Sequence, residues 1–214
     1  MKLLLFLLPA VVYSDFIEDL VNLPTSDTSS CHKEYYKMVS CIEPHKEIIE
    51  ITLSTLEKDE NEIYNIGLAN KALQIGRNIS KCLGRDVVCE IPKMVLYSLD
   101  SADYIGRKLY GDAFHCFVNA KTLEKITHCH RTSTPESEQF EALMTDDNLY
   151  KNRTKAIFDC VAHQMYEEPS CTINRIVDLY HAGVASTDVF MKFLRFWKKY
   201  PVEWNFDAGK HCDN

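Results

Sequence analysis

The residues of this chain that could carry out chemistry are its nine cysteines, together with the histidines next to Cys116 and Cys129. His115 precedes Cys116, and His128 and His130 flank Cys129. A cysteine nucleophile needs a thiolate beside a base, whereas a zinc site needs three or four ligands. No CxxC or HxxxH accompanies the second cluster. We therefore expect no metal site and no catalytic residue here, with both cysteines in structural disulfides and the second cluster at a solvated loop end.

Signatures of enzyme classes are missing from the rest of the sequence. It contains no GxSxG, no HExxH and no P-loop. The acidic run from Glu57 to Glu62 is typical of a solvated face. These observations predict a protein that is not an enzyme and that has no cofactor.

A hydrophobic leader determines the expected location of the chain. Met1-Lys2 is followed by an apolar run from Leu3 to Val12, and Ser14 offers a small residue before a cleavage site. A run of about 10 apolar residues is too short to span a bilayer, which needs about 20. The pattern predicts a signal peptide over residues 1–14 and a secreted, extracellular chain without a transmembrane segment.

The nine cysteines lie beyond this leader, so they meet an oxidising compartment. If Cys31 and Cys41 share one helix, they are about 15 Å apart, beyond the roughly 4.4–6.8 Å between Cα atoms that a disulfide allows. Each would then have a different partner, although spacing alone does not give the connectivity. The expected disulfide cysteines are Cys31, Cys41, Cys82, Cys89, Cys116, Cys129, Cys160 and Cys171.

An odd number of cysteines leaves one thiol free or bridging two chains. Cys212, two residues from the last residue, is the first candidate, and it makes a disulfide-linked homodimer one candidate assembly. The alternative is that Cys212 ties the tail to the body and that another cysteine is unpaired.

Charge and composition exclude some partners. The formal net charge is -7, and no basic cluster exceeds the Lys198-Lys199 pair, so binding to nucleic acid or to anionic lipid is disfavoured. Hydrophobic residues are 46% of the chain, enough for a real core in one domain or two small ones. Two sequons, at Asn78 and Asn152, predict surface glycans on a secreted glycoprotein.

Helical spacing of apolar residues dominates after a linker segment at residues 15–30. We expect a cysteine-rich helical domain over residues 31–212, an all-α, disulfide-stabilised bundle of about six to eight helices. Gly111 to Ile126 is predicted as one helix, and Gly183 as a left-handed cap that separates the last two helices. Other expected breaks are Pro44, Lys58–Asn61, Gly84, Thr132–Glu138, Glu167–Pro169 and Pro201.

An aromatic stripe marks the predicted last helix. At three- and four-residue spacing it contains Phe190, Phe193, Leu194, Trp197 and Tyr200. We expect this stripe to dock the helix on the core. The alternative is a wall of an apolar ligand pocket.

In the spacing of its cysteines, the chain resembles the secreted, cysteine-rich helical domain of unknown function that is expanded in nematodes. The resemblance extends from Cys31 to Cys212 and depends on the Cys31-x9-Cys41 opening, the later Phe114-His115-Cys116 and the helical texture between them. That family carries a dozen cysteines, so its pairing is not transferred to a chain with nine. The resemblance implies a secreted, non-catalytic extracellular module.

These observations predict a secreted binding module with a protein-interaction or signalling role, whose partner is an unknown extracellular protein. The alternative function is a carrier of a small apolar molecule in a pocket between helices.

Overall fold

The computed structural model describes residues 29–133 and 140–208. Within these ranges the chain forms seven α-helices of 12 residues or more, two of six residues, two short 3₁₀ helices and no β-strand. The predicted all-α, disulfide-stabilised fold is confirmed. The helices are α1 (Ser29–Ile42), α2 (Lys46–Lys58), α3 (Ile66–Leu83), α4 (Glu90–Tyr110), α5 (Phe114–Asn119), α6 (Thr122–Ser133), α7 (Phe140–Thr145), α8 (Asp147–Met165) and α9 (Ile173–Trp197). The predicted signal peptide, most of the linker and Cys212 lie outside the described residues.

The chain divides into two compact units. The first contains the described residues up to Asp103 together with Glu203–Phe206. The second contains the described parts of Tyr104–Val202 and continues from Asp207. The boundary therefore falls inside α4, between Asp103 and Tyr104.

The first unit is built around the contact of α1 with α3. Met38 and Ile42 from α1 and Ile79 and Leu83 from α3 are almost fully buried. The two residues of each pair are four residues apart, which places them on one face of their helix. Tyr97 of α4 adds an aromatic contact, with its ring 5.6 Å from that of Trp204 in the C-terminal segment.

Three predicted breaks in this unit are confirmed. Pro44 lies in a 3₁₀ helix (Glu43–His45) that ends α1, and Asp59 separates α2 from a second 3₁₀ helix (Glu60–Tyr64). Gly84 ends α3 with φ 78°, a conformation that costs glycine little.

The second unit packs α8 against α6 on one side and α9 on the other. Phe158, Val161 and Met165 of α8 are buried, as are Ile176 and Leu179 of α9. The short α5 contacts both α6 and α9, so this unit is also a helical bundle with one central helix.

The prediction of one helix from Gly111 to Ile126 is wrong. Two helices, α5 and α6, cover this stretch, and Lys121 between them has φ 48°. Positive φ is uncommon outside glycine and interrupts the helical path. The buried hydroxyl of Thr122 donates to the carbonyl of Phe117 at 3.0 Å, which stabilises the junction.

Gly183 does not end a helix, contrary to the prediction. It lies in the middle of the 25-residue helix α9, where a Cβ atom would approach Phe158 Cε1 to 2.1 Å. Glycine is present because the two helices approach closely, and its left-handed freedom is not used. Ser186 and Thr187, expected to begin another helix, donate instead to the carbonyls of Ala182 and Gly183 within α9.

The described helices contain none that is both long and apolar enough to cross a membrane.

Candidate functional site

The disulfides form a frame of four bridges, each within one unit. Cys31 and Cys41 share α1 and pair with different partners, as their spacing on one helix predicts. The eight expected cysteines are all bonded. The pairs are Cys31–Cys89, Cys41–Cys82, Cys116–Cys171 and Cys129–Cys160.

The bridges also bear on Cys212, which lies outside the described residues. Because they use eight of the nine cysteines in the sequence, the described part of the chain offers Cys212 no cysteine partner. A tail pinned by an intrachain bridge to Cys212 is therefore not compatible with these four pairs.

The two histidine–cysteine clusters hold disulfides and no reactive thiol. Cys116 and Cys129 are fully buried in bridges. His128, Cys129 and His130 lie inside α6, so their placement at a loop end is wrong. The disulfide partner of Cys129 is Cys160 of α8, which is 31 residues away in the sequence. Among the described residues no group of three histidines, cysteines or carboxylates is placed to hold a metal ion.

Two side chains of α1 hold the segment that joins α3 to α4. The Glu34 carboxylate accepts from the backbone N–H of Val88 at 3.1 Å and of Cys89 at 2.9 Å. Lys37 Nζ donates to the carbonyl of Leu83 at 2.8 Å. Thus the carboxylate of Glu34 lies at the N-terminal end of α4, and the ammonium of Lys37 lies at the C-terminal end of α3. A negative charge at the first position and a positive charge at the second are the signs that the helix dipoles favour.

A groove of about 370 Å³ lies between α3 and α4 in the first unit. On one side, small residues and cations alternate along α3 and the two residues that follow it, and on the α4 side Leu99 is accompanied by two carboxylates. The lining residues are Gly76, Arg77, Ser80, Lys81, Gly84, Arg85, Leu99, Asp100 and Asp103.

Two ion pairs cross this groove. Arg77 Nε lies 2.5 Å from Asp103 Oδ1, and Arg85 bonds to Asp100. The bond to Asp100 raises the pKa of Arg85 from its ordinary value. The aspartate side chains are about one quarter exposed and the guanidinium groups more so, so the pairs are solvent-accessible and each contributes at most about 1 kcal/mol to stability. Lys81, four residues from each arginine in the sequence, has no ion pair among the described residues.

The groove offers charge and hydrogen bonds and lacks the parts of an acid–base catalyst. Each carboxylate is already engaged by a guanidinium, so neither is placed as a general acid. Ser80 has no histidine beside it in the lining, and a serine nucleophile needs such a base. The arrangement is therefore suited to binding.

The predictions from the sequence did not include this site. Arg77, Lys81 and Arg85 recur every four residues, and so do Gly76, Ser80 and Gly84. Arg77 and Lys81 lie on one face of α3, and Gly76 and Ser80 lie next to them on the same helix. Gly84 ends this helix, and Arg85 follows it. The spacing was available in the sequence, but the facing carboxylates on α4 depend on the fold.

Both predicted glycan acceptors are exposed on helices. Asn78 lies on α3 next to Arg77, and its side-chain oxygen accepts from Gln74 at 3.0 Å. Asn152 lies in the first turns of α8, and the third residue of its sequon, Thr154, is buried. The exposure of the two asparagines is compatible with glycosylation, which stays a prediction.

The aromatic stripe is divided between core and surface. Phe193 is buried, whereas Trp197 and Tyr200 are 47% and 42% exposed. At the other end of α9, Ile173 and Val177 are 66% and 43% exposed and lie one turn apart. The described part of α9 thus leaves apolar side chains accessible at both ends.

Comparisons with known protein families, with curated proteins and with solved structures found no match to this chain. Its resemblance to the nematode-expanded domain therefore stays a prediction.

Proposed function

We propose that this protein is a secreted, non-catalytic binding module that works through contact with another protein, and that a second copy of the chain is one such partner. The observation that carries the proposal is the pairing of the cysteines. Four disulfides are typical of a chain that folds in an oxidising compartment, and they leave Cys212 available for a bond to another molecule.

Exposed apolar residues on α9 support a protein partner. Ile173 and Val177 form a short apolar row, and the polar residues Asn174 and Asp178 lie along one side of it on the same helix. An apolar centre with a polar rim is the usual anatomy of a protein interface. Two copies related by a twofold axis would each present the same row to the other.

The test begins with the mass of the protein secreted from eukaryotic cells, measured under native conditions and under denaturing, non-reducing conditions. We expect a doubled mass that survives denaturation and is lost on reduction. Cys212→Ser should abolish the covalent dimer, and peptide mapping without reduction should still find the four intrachain bridges. A monomeric wild-type chain at micromolar concentration would contradict the proposed self-association.

A double variant tests the apolar row separately. I173D/V177D should weaken the dimer that C212S still forms without a covalent bond, whereas Ile51→Asp, at an exposed isoleucine of α2 outside the row, should leave it unchanged. Circular dichroism would establish that each variant is folded. Equal dimerisation of the double variant and its control would exclude the row from the interface.

The alternative function, a carrier of an apolar molecule, has no comparable support. Leu99 is the one large apolar side chain in the lining of the groove, and charged groups dominate the rest. The same mass measurement addresses this alternative, because a carrier would be a monomer with extra native mass that disappears on denaturation.

A further inference from the structure

The groove between α3 and α4 combines a row of cations with an adjacent row of small residues. Arg77 and Lys81 are about 6 Å apart along the axis of α3, and Arg85 follows Gly84 beyond the end of the helix. Gly76, Ser80 and Gly84 lie next to them, and a Cβ atom on Gly76 would already reach Leu99 at 3.5 Å. The small residues therefore leave the space into which the cations can reach.

The charges of the groove do not cancel. Asp103 and Asp100 face the two outer cations, Arg77 and Arg85, and Lys81 between them adds one positive charge that no described ion pair offsets. This local excess occurs in a chain with a net charge of -7. A site of opposite sign to its protein selects an anion locally, because short-range contacts are screened less than the distant negative charges.

Hydrogen-bond donors remain available in the groove. Arg77 uses Nε towards Asp103 and Arg85 uses one terminal nitrogen towards Asp100, which leaves further N–H groups on each guanidinium. Ser80 contributes a hydroxyl and Lys81 an ammonium with three donors. Donors from several directions around one unpaired cation suit a tetrahedral oxyanion, whose oxygens accept from all sides.

We propose that this groove binds a small tetrahedral oxyanion, a sulfate or a phosphate, either free or as the ester group of a larger molecule. Lys81 supplies the counter-charge, Ser80 donates its hydroxyl, and Arg77 donates from the nitrogens that do not face Asp103. The site is in the first unit and does not depend on Cys212 or on the apolar row of α9. An experiment can therefore contradict the anion site without contradicting the proposed dimer, and the reverse also holds.

The predicted glycan acceptor Asn78 borders this site. It is one residue from Arg77 and three from Lys81 on α3, and Ser80 is the third residue of its sequon. Ser80→Ala would therefore remove both the hydroxyl of the groove and the sequon. Ser80→Thr keeps both, and Asn78→Gln removes only the sequon, so these three variants separate the contribution of the hydroxyl from that of a glycan.

The experiment titrates the full secreted chain with sodium sulfate and with sodium phosphate, at an ionic strength held constant with sodium chloride. Binding is followed by calorimetry and by the amide resonances of Ser80 and Lys81. Lys81→Gln should weaken binding at least about tenfold, the factor expected for one lost hydrogen bond between charged groups. Lys71→Gln, an exposed lysine of α3 outside the groove, is the matched control and should bind as the wild type does.

Two further probes distinguish the sources of the anion. Glucosamine 6-sulfate is compared with glucosamine, and a preference for the sulfated sugar over inorganic sulfate would identify an ester as the occupant. Equal affinity of wild type and K81Q for both anions would overturn the proposal, as would the absence of binding by inorganic sulfate, inorganic phosphate and the sulfated sugar. Because Lys81 is exposed, K81Q is expected to fold, and its circular dichroism spectrum would establish this.

Discussion

Gly183 of α9 lies directly against the ring of Phe158 of α8. A Cβ atom at position 183 would be 2.1 Å from Phe158 Cε1 and 2.4 Å from Cζ, which is far inside van der Waals contact. The absence of a Cβ atom at Gly183 thus allows the two longest helices of the second unit, α8 and α9, to approach each other closely.

Gly183→Ala should destabilise the protein even though alanine has the higher helix propensity. We expect a loss of about 1–3 kcal/mol in the free energy of unfolding, the usual cost of overpacking a core. Gly76→Ala is a matched control, because its Cβ atom would make an ordinary contact at 3.5 Å and would gain up to about 1 kcal/mol of helix propensity. Urea denaturation under non-reducing conditions measures both changes.

A second substitution tests the cause. Phe158→Leu replaces the ring by a smaller side chain, so the double variant G183A/F158L should lose less stability than the sum of the two single variants. Strict additivity of the two changes would mean that the contact does not determine the presence of glycine.

The bridge between Cys129 and Cys160 should contribute strongly to the stability of the second unit. It closes a loop of 31 residues and joins α6 to α8, with Cys129 fully buried. Replacing both cysteines by alanine is expected to cost about 3–4 kcal/mol on the chain-entropy estimate. Thermal unfolding of C129A/C160A and of the wild type measures the difference, and a change below about 1 kcal/mol would contradict that estimate.

Glu34 should stabilise the start of α4 through its two backbone contacts. Glu34→Ala leaves the N–H groups of Val88 and Cys89 without their carboxylate acceptor, and we expect a loss of about 1–2 kcal/mol. Glu57→Ala, an exposed glutamate of α2, should change stability by no more than about 0.5 kcal/mol.

Amide hydrogen exchange shows whether the effect is local. In E34A the amides of Val88 and Cys89 should exchange faster than in the wild type, while those in the middle of α3 should be unaffected. Unchanged exchange at both positions would show that water replaces the carboxylate without cost.

The sequence predicted the helical class because its apolar residues keep a three- and four-residue spacing, and it predicted breaks where the local cause is strong. Pro44 and Gly84 are such cases, since a missing N–H or a positive φ acts on the backbone at that residue. Gly183 was assigned wrongly for the opposite reason. The glycine at this position is required by the ring of Phe158, which is 25 residues earlier in the chain. A pattern of neighbouring residues in the sequence does not show that contact.

The site follows the same division. The four-residue spacing of Arg77 and Lys81 can be read from the sequence, and it places them on one face of α3. Arg85 keeps the same spacing but lies beyond Gly84, where the helix has ended. The position of Asp100 and Asp103 opposite that face depends on how α4 packs on α3. The pairing of Cys31 with Cys89 likewise depends on tertiary structure, although the sequence excluded a bridge between Cys31 and Cys41.

Tyr150 should make stability depend on pH in the alkaline range. Its hydroxyl is buried, and burial, followed by the nearby carboxylate of Asp188, raises the pKa of Tyr150 above its ordinary value of 10.0. Below pH 10 the phenol is protonated in both the folded and the unfolded chain. Above pH 10 the unfolded chain releases this proton and the folded chain retains it, so the folded state loses stability as the pH rises, by up to about 1.4 kcal/mol per pH unit.

Tyr150→Phe removes this dependence, so its stability relative to the wild type should rise by about 1 kcal/mol between pH 10 and pH 11. Tyr166→Phe, at a tyrosine that is 61% exposed, serves as the control and should keep a constant difference from the wild type. Taking differences between chains cancels the effect of alkaline pH on lysines and on disulfides, which is common to all three. A difference between Y150F and the wild type that stays constant from pH 9 to pH 11 would mean that Tyr150 ionises equally easily in the folded and the unfolded chain, and the burial of its hydroxyl would then have no energetic consequence.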